Sequence, residues 1–203
     1  TPEVYGNNIK KIKEDDRIIP STPYAITQAT ADFFTYAYTK FKGLNSITLR
    51  FANFYGPGQQ LFRIIPKTIM SVLKKKKISI HGDGSSSRSF IFSDDFCESI
   101  LLAIRHWKKN EVYNISPTRE ISIIKLVRLI CKLMKYDEKK LISYSKDRVG
   151  KDLRYMMSSK KANQEIKWRS KTSLENGLKK TIEWHVKNLK ALEKLNSIYI
   201  HKK

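Results

Sequence analysis

Tyr24 and Gln28 stand four residues apart in the stretch STPYAITQAT, a spacing that puts both side chains on one side of a helix, one turn apart. A phenolate can take a proton from a hydroxyl, but a free phenol has a pKa near 10, so only about one in a thousand is ionised at neutral pH. A cation one turn away would lower that value; a shift of about three units corresponds to roughly 4 kcal/mol. Gln28 can hydrogen-bond at that place but carries no charge. At the start of the chain, Thr1, Pro2 and Glu3 offer a hydroxyl, a residue with nothing to ionise, and a carboxylate able to abstract a proton. Taken one at a time, each residue has an ordinary alternative: a tyrosine packed or exposed on a helix, a polar helix residue, a loop carboxylate.

The elements that must hold these groups follow from the pattern of apolar residues. Ala25, Ala29, Phe33 and Ala37 recur at helical spacing, predicting a helix over 24–42 stopped by Gly43. SITLRF (46–51) is a short strand that NFYGPGQQ interrupts, and a helix is expected near Pro66, a residue suited to a first turn. ISIHGDG reads as a strand entering a turn, and RSFIF as a short extended piece. Ser93, Asp94 and Asp95 then cap a helix reaching about Trp107. EVYNIS is a strand, SIIKLVRLICKLMK a helix, LISYS a strand and KDRVGKD a loop. A capping box from Thr172 to Glu175 opens the last long helix, with Leu178, Ile182 and Val186 on one face. Strands alternating with helices indicate an α/β fold with a partly parallel sheet. No G-x-G-x-x-G turn joins a strand to a helix anywhere in the 203 residues, so the first half of any dinucleotide fold would lie outside them.

Composition narrows the classes. A 40% hydrophobic content with 11% aromatics fits a globular protein. The net charge of +21 comes from lysines spread along the whole chain, without an arginine-rich block or zinc-finger spacing, and argues for solvated faces rather than a nucleic-acid code. No apolar run reaches the length of a membrane span. Cys97 and Cys131 form no CxxC pair, are expected to be buried and suit a reducing cytoplasm; the four histidines show no metal-ligand spacing.

TPEVYG (1–6), PSTPYAITQ (20–28), NFYGPG (53–58), HGDGSSSRSFIF (81–92), VYNIS (112–116) and DRVGKDLRY (147–155) occur in one order that resembles the C-terminal part of extended short-chain dehydrogenase/reductases acting on nucleotide sugars. The pattern is most similar to dTDP-glucose 4,6-dehydratases, with UDP-glucuronate decarboxylases nearby, and runs from Thr1 to about Trp184. The resemblance implies the second half of a Rossmann-type sheet plus a small α/β C-terminal substrate domain. Residues 1–75 would be mostly nucleotide fold, 76–190 an interleaved substrate domain and 191–203 a basic tail. It implies NAD as cofactor, a nucleotide-diphosphate sugar as ligand, a homodimer in the cytoplasm, and no nucleic-acid or membrane partner.

Residue by residue, the resemblance assigns Tyr24 to the base that takes a sugar hydroxyl proton as hydride leaves for NAD, with Thr1 bonding the reacting hydroxyl. Glu3 matches the base at C5, and Pro2 replaces the acid that protonates the leaving hydroxyl at C6. Gln28 stands where the family has lysine on the nicotinamide ribose, and Phe54 faces the cofactor in place of an asparagine. Substrate binding would fall to Asn53, to Arg63 and Ile64 before the IP dipeptide, and to Ser79, Ile80 and His81 beside the nucleobase. Arg88 would take the pyrophosphate and Asn114 the nucleotide. Arg148 to Asp152 would form a closing loop, with Lys151 in place of the usual histidine. Loss of the acid and of the lysine cation leaves three readings open: a dehydratase, a decarboxylase or epimerase that needs no such acid, and a catalytically impaired nucleotide-sugar-binding chain.

Overall fold

A computed structural model describes residues 1–8, 10–146, 153–154 and 156–197. In chain order the strands are β1 (Lys11–Ile12), β2 (Ile47–Phe51), β3 (Asn53–Tyr55), β4 (Ile78–His81), β5 (Ser87–Arg88), β6 (Phe90–Phe92), β7 (Glu111–Ile115), β8 (Ile121–Ser122), β9 (Ile142–Ser145) and β10 (Met156–Met157). The helices are α1 (Pro23–Phe41), α2 (Ile64–Leu73), α3 (Ser93–Arg105), α4 (Ile123–Leu133), α5 (Glu138–Leu141), α6 (Lys160–Ile166), α7 (Leu174–Lys187) and α8 (Leu189–Leu192), preceded by a 3-10 turn, Pro2–Tyr5.

The chain divides into two compact units, each built from several stretches. The first holds Thr1–Phe54, Ser86–Ile121 and Val149–Thr172; the second holds Tyr55–Ser85, Ser122–Arg148 and Ser173–Lys203. Position 75/76 falls inside the second unit, between α2 and β4.

In the first unit β2 runs parallel to β7 in the register Ile47↔Glu111 to Phe51↔Ile115, and β1 runs parallel to β10. Parallel neighbours need a crossover, and the long excursion between β2 and β7 supplies it. Val4, Tyr5, Ile12, Ile91, Tyr113, Ile115, Ile166 and Trp168 fill the core. Helix α1 lays Ala25, Ala29 and Thr39 inward, while Phe33 is exposed. Small residues set the helix close to its neighbours, so the buried stripe is narrower than the predicted one that included Phe33. Strand β2 is followed after one residue by β3, where the sequence predicted only a break.

Two expected caps are rearranged by one carboxylate. Helix α3 begins at Ser93 without a side-chain cap bond. Asp95, buried in its first turn, instead accepts from Ser170 Oγ (3.0 Å), the Lys171 N–H (3.1 Å), the Thr172 N–H (2.9 Å) and Thr172 Oγ1 (3.2 Å). With its hydroxyl given to Asp95, Thr172 does not cap α7. Ser173 does, accepting from the Asn176 N–H at 3.2 Å. Asp95, Ser99 and Ala103 form the buried face of α3, which leaves Cys97 exposed, contrary to expectation.

In the second unit β4 runs parallel to β9, and α2 and α4 pack Val72, Ile78, Ile80, Val127, Cys131 and Leu141 together. Burial raises the Cys131 thiol to about 11 and keeps it protonated at neutral pH. Gly84, at φ +72, could carry no Cβ: that atom would stand 2.9 Å from Ile124 Cβ and from Ile80 Cγ2. Along α7 the buried positions are Gly177, Leu178, Thr181 and His185, whereas Val186, expected on the apolar face, is exposed.

His185 is fully buried, with Nδ1 2.8 Å from the Thr181 carbonyl oxygen. A carbonyl only accepts, so Nδ1 carries the proton and Nε2 is left as a buried lone pair without a hydrogen-bond partner. Burial holds the imidazole pKa below its ordinary value, the Thr181 bond opposing only in part. The unfolded chain therefore takes up a proton below about pH 6.5 that the folded unit does not, and stability falls as pH drops through that value, by at most about 1.4 kcal/mol per pH unit. Denaturant titrations at pH 7.5 and 5.5 should show this slope, and His185→Gln should flatten it. An unchanged slope would mean that another group titrates.

Candidate active site

The short turn carrying Thr1 and Glu3 is fixed at both ends. Thr1 Oγ1 accepts from the Glu3 N–H at 3.4 Å, and Pro2, whose φ suits a first helical position, packs inward. At the other end the Gly6 N–H donates to the Glu3 carbonyl at 3.1 Å. Gly6 has φ +66, and a Cβ there would collide with the Ile19 carbonyl oxygen. With Val4 and Tyr5 in the core, Thr1 and Glu3 stay half-buried at the edge. Because Pro2 is buried as well as non-ionisable, nothing at its position can deliver a proton.

Tyr24 lies in the first turn of α1. Thr22 caps that turn by accepting from the Ala25 N–H at 3.1 Å, and Pro23 follows at the first position. Burial of Ala25 and Ala29 turns Tyr24 outward at 55% exposure, with Gln28 half-buried one turn on. Asn53 is half-buried at the start of β3. Phe54, 48% exposed, sets its ring 4.8 Å from Phe96, which in turn lies 4.3 Å from Phe51. Arg88 Nη1 donates to the Ser87 carbonyl (2.8 Å) and the Leu153 carbonyl (3.2 Å), so the chain itself orients the guanidinium.

Beneath these groups the first unit holds a polar network that the sequence reading missed. Arg50, from β2, donates through Nε to Asp32 Oδ2 at 2.8 Å and through Nη1 to the Tyr5 hydroxyl and, at 3.4 Å, to the Glu14 carbonyl. The Tyr5 hydroxyl donates to Asn114 Oδ1 at 2.9 Å, and the Asn114 backbone N–H donates to Glu14 Oε1 at 2.8 Å. Burial raises the Tyr5 phenol above its ordinary range, Arg50 opposing in part, so Tyr5 stays a neutral donor. A charged residue inside the apolar strand ITLRF was the available cue. Asn114, assigned to the nucleotide, is fully buried here, with its oxygen engaged by Tyr5 and its Nδ2 unpartnered.

The remaining assigned residues that are described lie in the second unit. Arg63 is exposed just before α2, its guanidinium carbon 5.4 Å from the Phe62 ring centre, and Ile64 packs against the unit's core. Alternation along β4 exposes Ser79 and His81 and buries Ile80 at 2% exposure. The Ile80 side chain therefore belongs to the core, and only its backbone remains for a ligand. His81 Nδ1 lies 3.1 Å from Ser145 Oγ. Arg148 and Lys151 lie outside the described residues.

With this arrangement in hand, comparison with known proteins is decisive at the level of family. The GDP-mannose 4,6 dehydratase family matches residues 1–181. The chain belongs to that family. Among its relatives, the trifunctional UDP-glucose 4,6-dehydratase/UDP-4-keto-6-deoxy-D-glucose 3,5-epimerase/UDP-4-keto-L-rhamnose-reductase of Arabidopsis thaliana is 36% identical over 192 residues, covering 93% of this chain and 29% of the plant protein. The dTDP-D-glucose 4,6-dehydratase of Homo sapiens is 34% identical over 194 residues, covering 93% of this chain and 55% of the human one. A crystal structure of dTDP-glucose 4,6-dehydratase from Bacillus anthracis in complex with NAD superposes with a TM-score of 0.89 at 33% identity, over 94% of this chain and 61% of that one. The fold is thus the Rossmann-type α/β architecture of the GDP-mannose 4,6 dehydratase family. This chain spans about half the length of the human relative and less than a third of the plant protein.

Proposed function

We propose that the polypeptide carrying this chain oxidises a nucleotide sugar at C4 with NAD and then eliminates water, as a dTDP-glucose 4,6-dehydratase-like enzyme of the cytoplasm. One observation carries the reading: Tyr24, outward on the first turn of α1, and Glu3, on its capped turn, belong to one compact unit in a chain of this family. Tyr24 takes the hydroxyl proton, Thr1 hydrogen-bonds the same hydroxyl, and Glu3 removes the C5 proton. The proton for the leaving C6 hydroxyl has to come from a group other than Pro2, and a 6-deoxy product requires the hydride taken from C4 to be returned at C6. NAD, when bound, accepts hydride from the sugar carbon. Tyr24, Gln28 and Phe54, all at least partly open to solvent, fit the nicotinamide end of that cofactor. A Gly-rich cradle for its pyrophosphate is not among the 203 residues. The first unit serves as the nucleotide-fold part and the second as the substrate part, in a homodimer that covers the exposed Phe33, Phe34, Tyr38 and Phe41 of α1.

Buried Pro2 favours a second reading, an epimerase or decarboxylase, since neither needs an acid at that place. Incubating the full-length polypeptide with NAD and either dTDP-glucose, UDP-glucose or UDP-glucuronate separates the possibilities. A 4-keto-6-deoxy sugar is expected; carbon dioxide or an inverted hydroxyl would replace the dehydratase reading, and no turnover with any of them would remove both.

Arg88→Ala should weaken binding of a nucleoside diphosphate by roughly 10- to 150-fold, the loss of one charge-assisted contact worth about 1.5–3 kcal/mol. Lys75→Ala, on the second unit's surface, should leave affinity unchanged. Calorimetry with dTDP reads both; equal losses would mean a diffuse electrostatic surface instead of a specific contact.

A further inference from the structure

The side chains assigned to chemistry sit on two separate elements, the Pro2–Tyr5 turn and α1. The two elements share a core through Val4, Tyr5 and Ala29, and Arg50 hydrogen-bonds to both. Its planar fork donates in two directions at once, to Asp32 on α1 and to the Tyr5 hydroxyl at the end of the turn, with its guanidinium carbon 5.0 Å from the Tyr5 ring centre. Arg50 is 5% exposed and Tyr5 2%, so the bond between them is shielded from water, while Asp32 is partly exposed. Asp32 lies on α1 about two turns beyond Tyr24, and Tyr5 lies two residues beyond Glu3. Asn114 closes the network from β7, fixing the Tyr5 hydroxyl from its other side at 2.9 Å. A lysine at this place would carry the same charge on a single nitrogen and could not reproduce both directions.

We propose that Arg50 is the positioning residue of the candidate site, acting through Tyr5 and Asp32 to set Glu3 against Tyr24. The proposal rests on the reading above, in which both residues work on neighbouring carbons of one sugar. A displacement of about 1 Å between reacting groups can cost about a hundredfold in rate. The cost falls on whichever step loses alignment, so Arg50 governs the partition between oxidation and elimination rather than oxidation alone.

The test uses Arg50→Lys and, because losing one of two donor directions in a buried network can prevent folding, Tyr5→Phe, which removes one hydroxyl only. Two readouts are taken on the full-length polypeptide. With NAD and dTDP-glucose, both variants should keep reduction of the nicotinamide within about fivefold and lose formation of the 4-keto-6-deoxy product by about 10- to 100-fold. By amide hydrogen exchange without ligand, the Gly6 and Ile19 N–H groups, which bond to Glu3 and Val4, should exchange about tenfold faster, with β2 and β7 unchanged. Oxidation and elimination falling together, or exchange rising uniformly across the unit, would reduce Arg50 to a stability residue and overturn the proposal. If the parent turns over none of the sugars, the functional reading fails, and the exchange pattern still decides whether Arg50 couples the two elements.

Discussion

Asp95→Ala is expected to destabilise the first unit by about 3–5 kcal/mol, the scale for removing one partner of a buried charged network. The carboxylate is 3% exposed and gathers four hydrogen bonds from Ser170, Lys171 and Thr172, two of them from backbone N–H groups. Alanine would remove the acceptor and leave both N–H groups buried without a partner, an outcome costlier than never having made the bonds. Asp95→Asn should cost less than alanine, because three of the four bonds go to Oδ2, and an amide NH2 at the Oδ1 place would face only the Thr172 hydroxyl, which can accept as well as donate. The loss is a large share of the about 5–15 kcal/mol that folded domains possess. Trp168 reports it directly: it is 1% exposed, and its Nε1 donates to the Asp95 carbonyl at 2.9 Å. A shift of the fluorescence midpoint in denaturant at unchanged slope is the expected signature. Glu98→Ala, which breaks only the more exposed pair with Lys171, should cost under about 1 kcal/mol. Equal effects from Asp95→Ala and Glu98→Ala would show that the Asp95 network contributes no more than a surface ion pair.

Asp95 also marks where the sequence stopped being legible. Helices α1, α2 and α4 and strands β2, β4, β7 and β9 are local statements, written in apolar spacing, turn residues and β-branched runs, and they lie where the pattern puts them. The Ser122 cap of α4, accepting from the Lys125 N–H, is of the same kind. The start of α7 is not, because Thr172 was a sound cap until a carboxylate from α3 claimed its hydroxyl. Nor could spacing reveal that Cys97 faces outward, since the face of α3 is chosen by what Asp95 and Ser99 meet. The motif order reached the family, and the proposed roles of Thr1, Glu3, Tyr24 and Gln28 rest on it. It could not find Arg50, Tyr5, Asp32 and Glu14 as a set, because they come from four separated stretches and meet only when β2, α1 and the first turn pack together. Ile80 and Asn114 show the converse. A residue can match a motif while its side chain points into the core, since motifs record position along the chain and burial records direction.

Gln28→Lys is expected to raise the rate of sugar oxidation near neutral pH by about tenfold or more and to move the pH–rate profile of the full-length polypeptide to lower pH. The reason lies in the geometry of α1. Residues 24 and 28 share one side of the helix, so a lysine there brings an ammonium within reach of the phenol, where an opposite charge favours the ionised base. Glutamine offers a hydrogen bond and no charge, so the parent should oxidise slowly at pH 7 and accelerate as pH rises. The substitution is cheap structurally: Gln28 is half-buried, it makes no hydrogen bond to the Arg50 network, and lysine is as good a helix former. Tyr24→Phe keeps the ring and removes the hydroxyl, and should abolish oxidation in both backgrounds. The measurement is nicotinamide reduction against pH for the parent, Gln28→Lys, Tyr24→Phe and the double variant, with dTDP-glucose. A parental profile already flat near neutrality would mean that a cation from another part of the polypeptide serves Tyr24. No change on Gln28→Lys would return Tyr24 to the role of an exposed helix residue. Oxidation that survives Tyr24→Phe would remove it from the chemistry altogether, and with it the assignment of α1 as the catalytic helix.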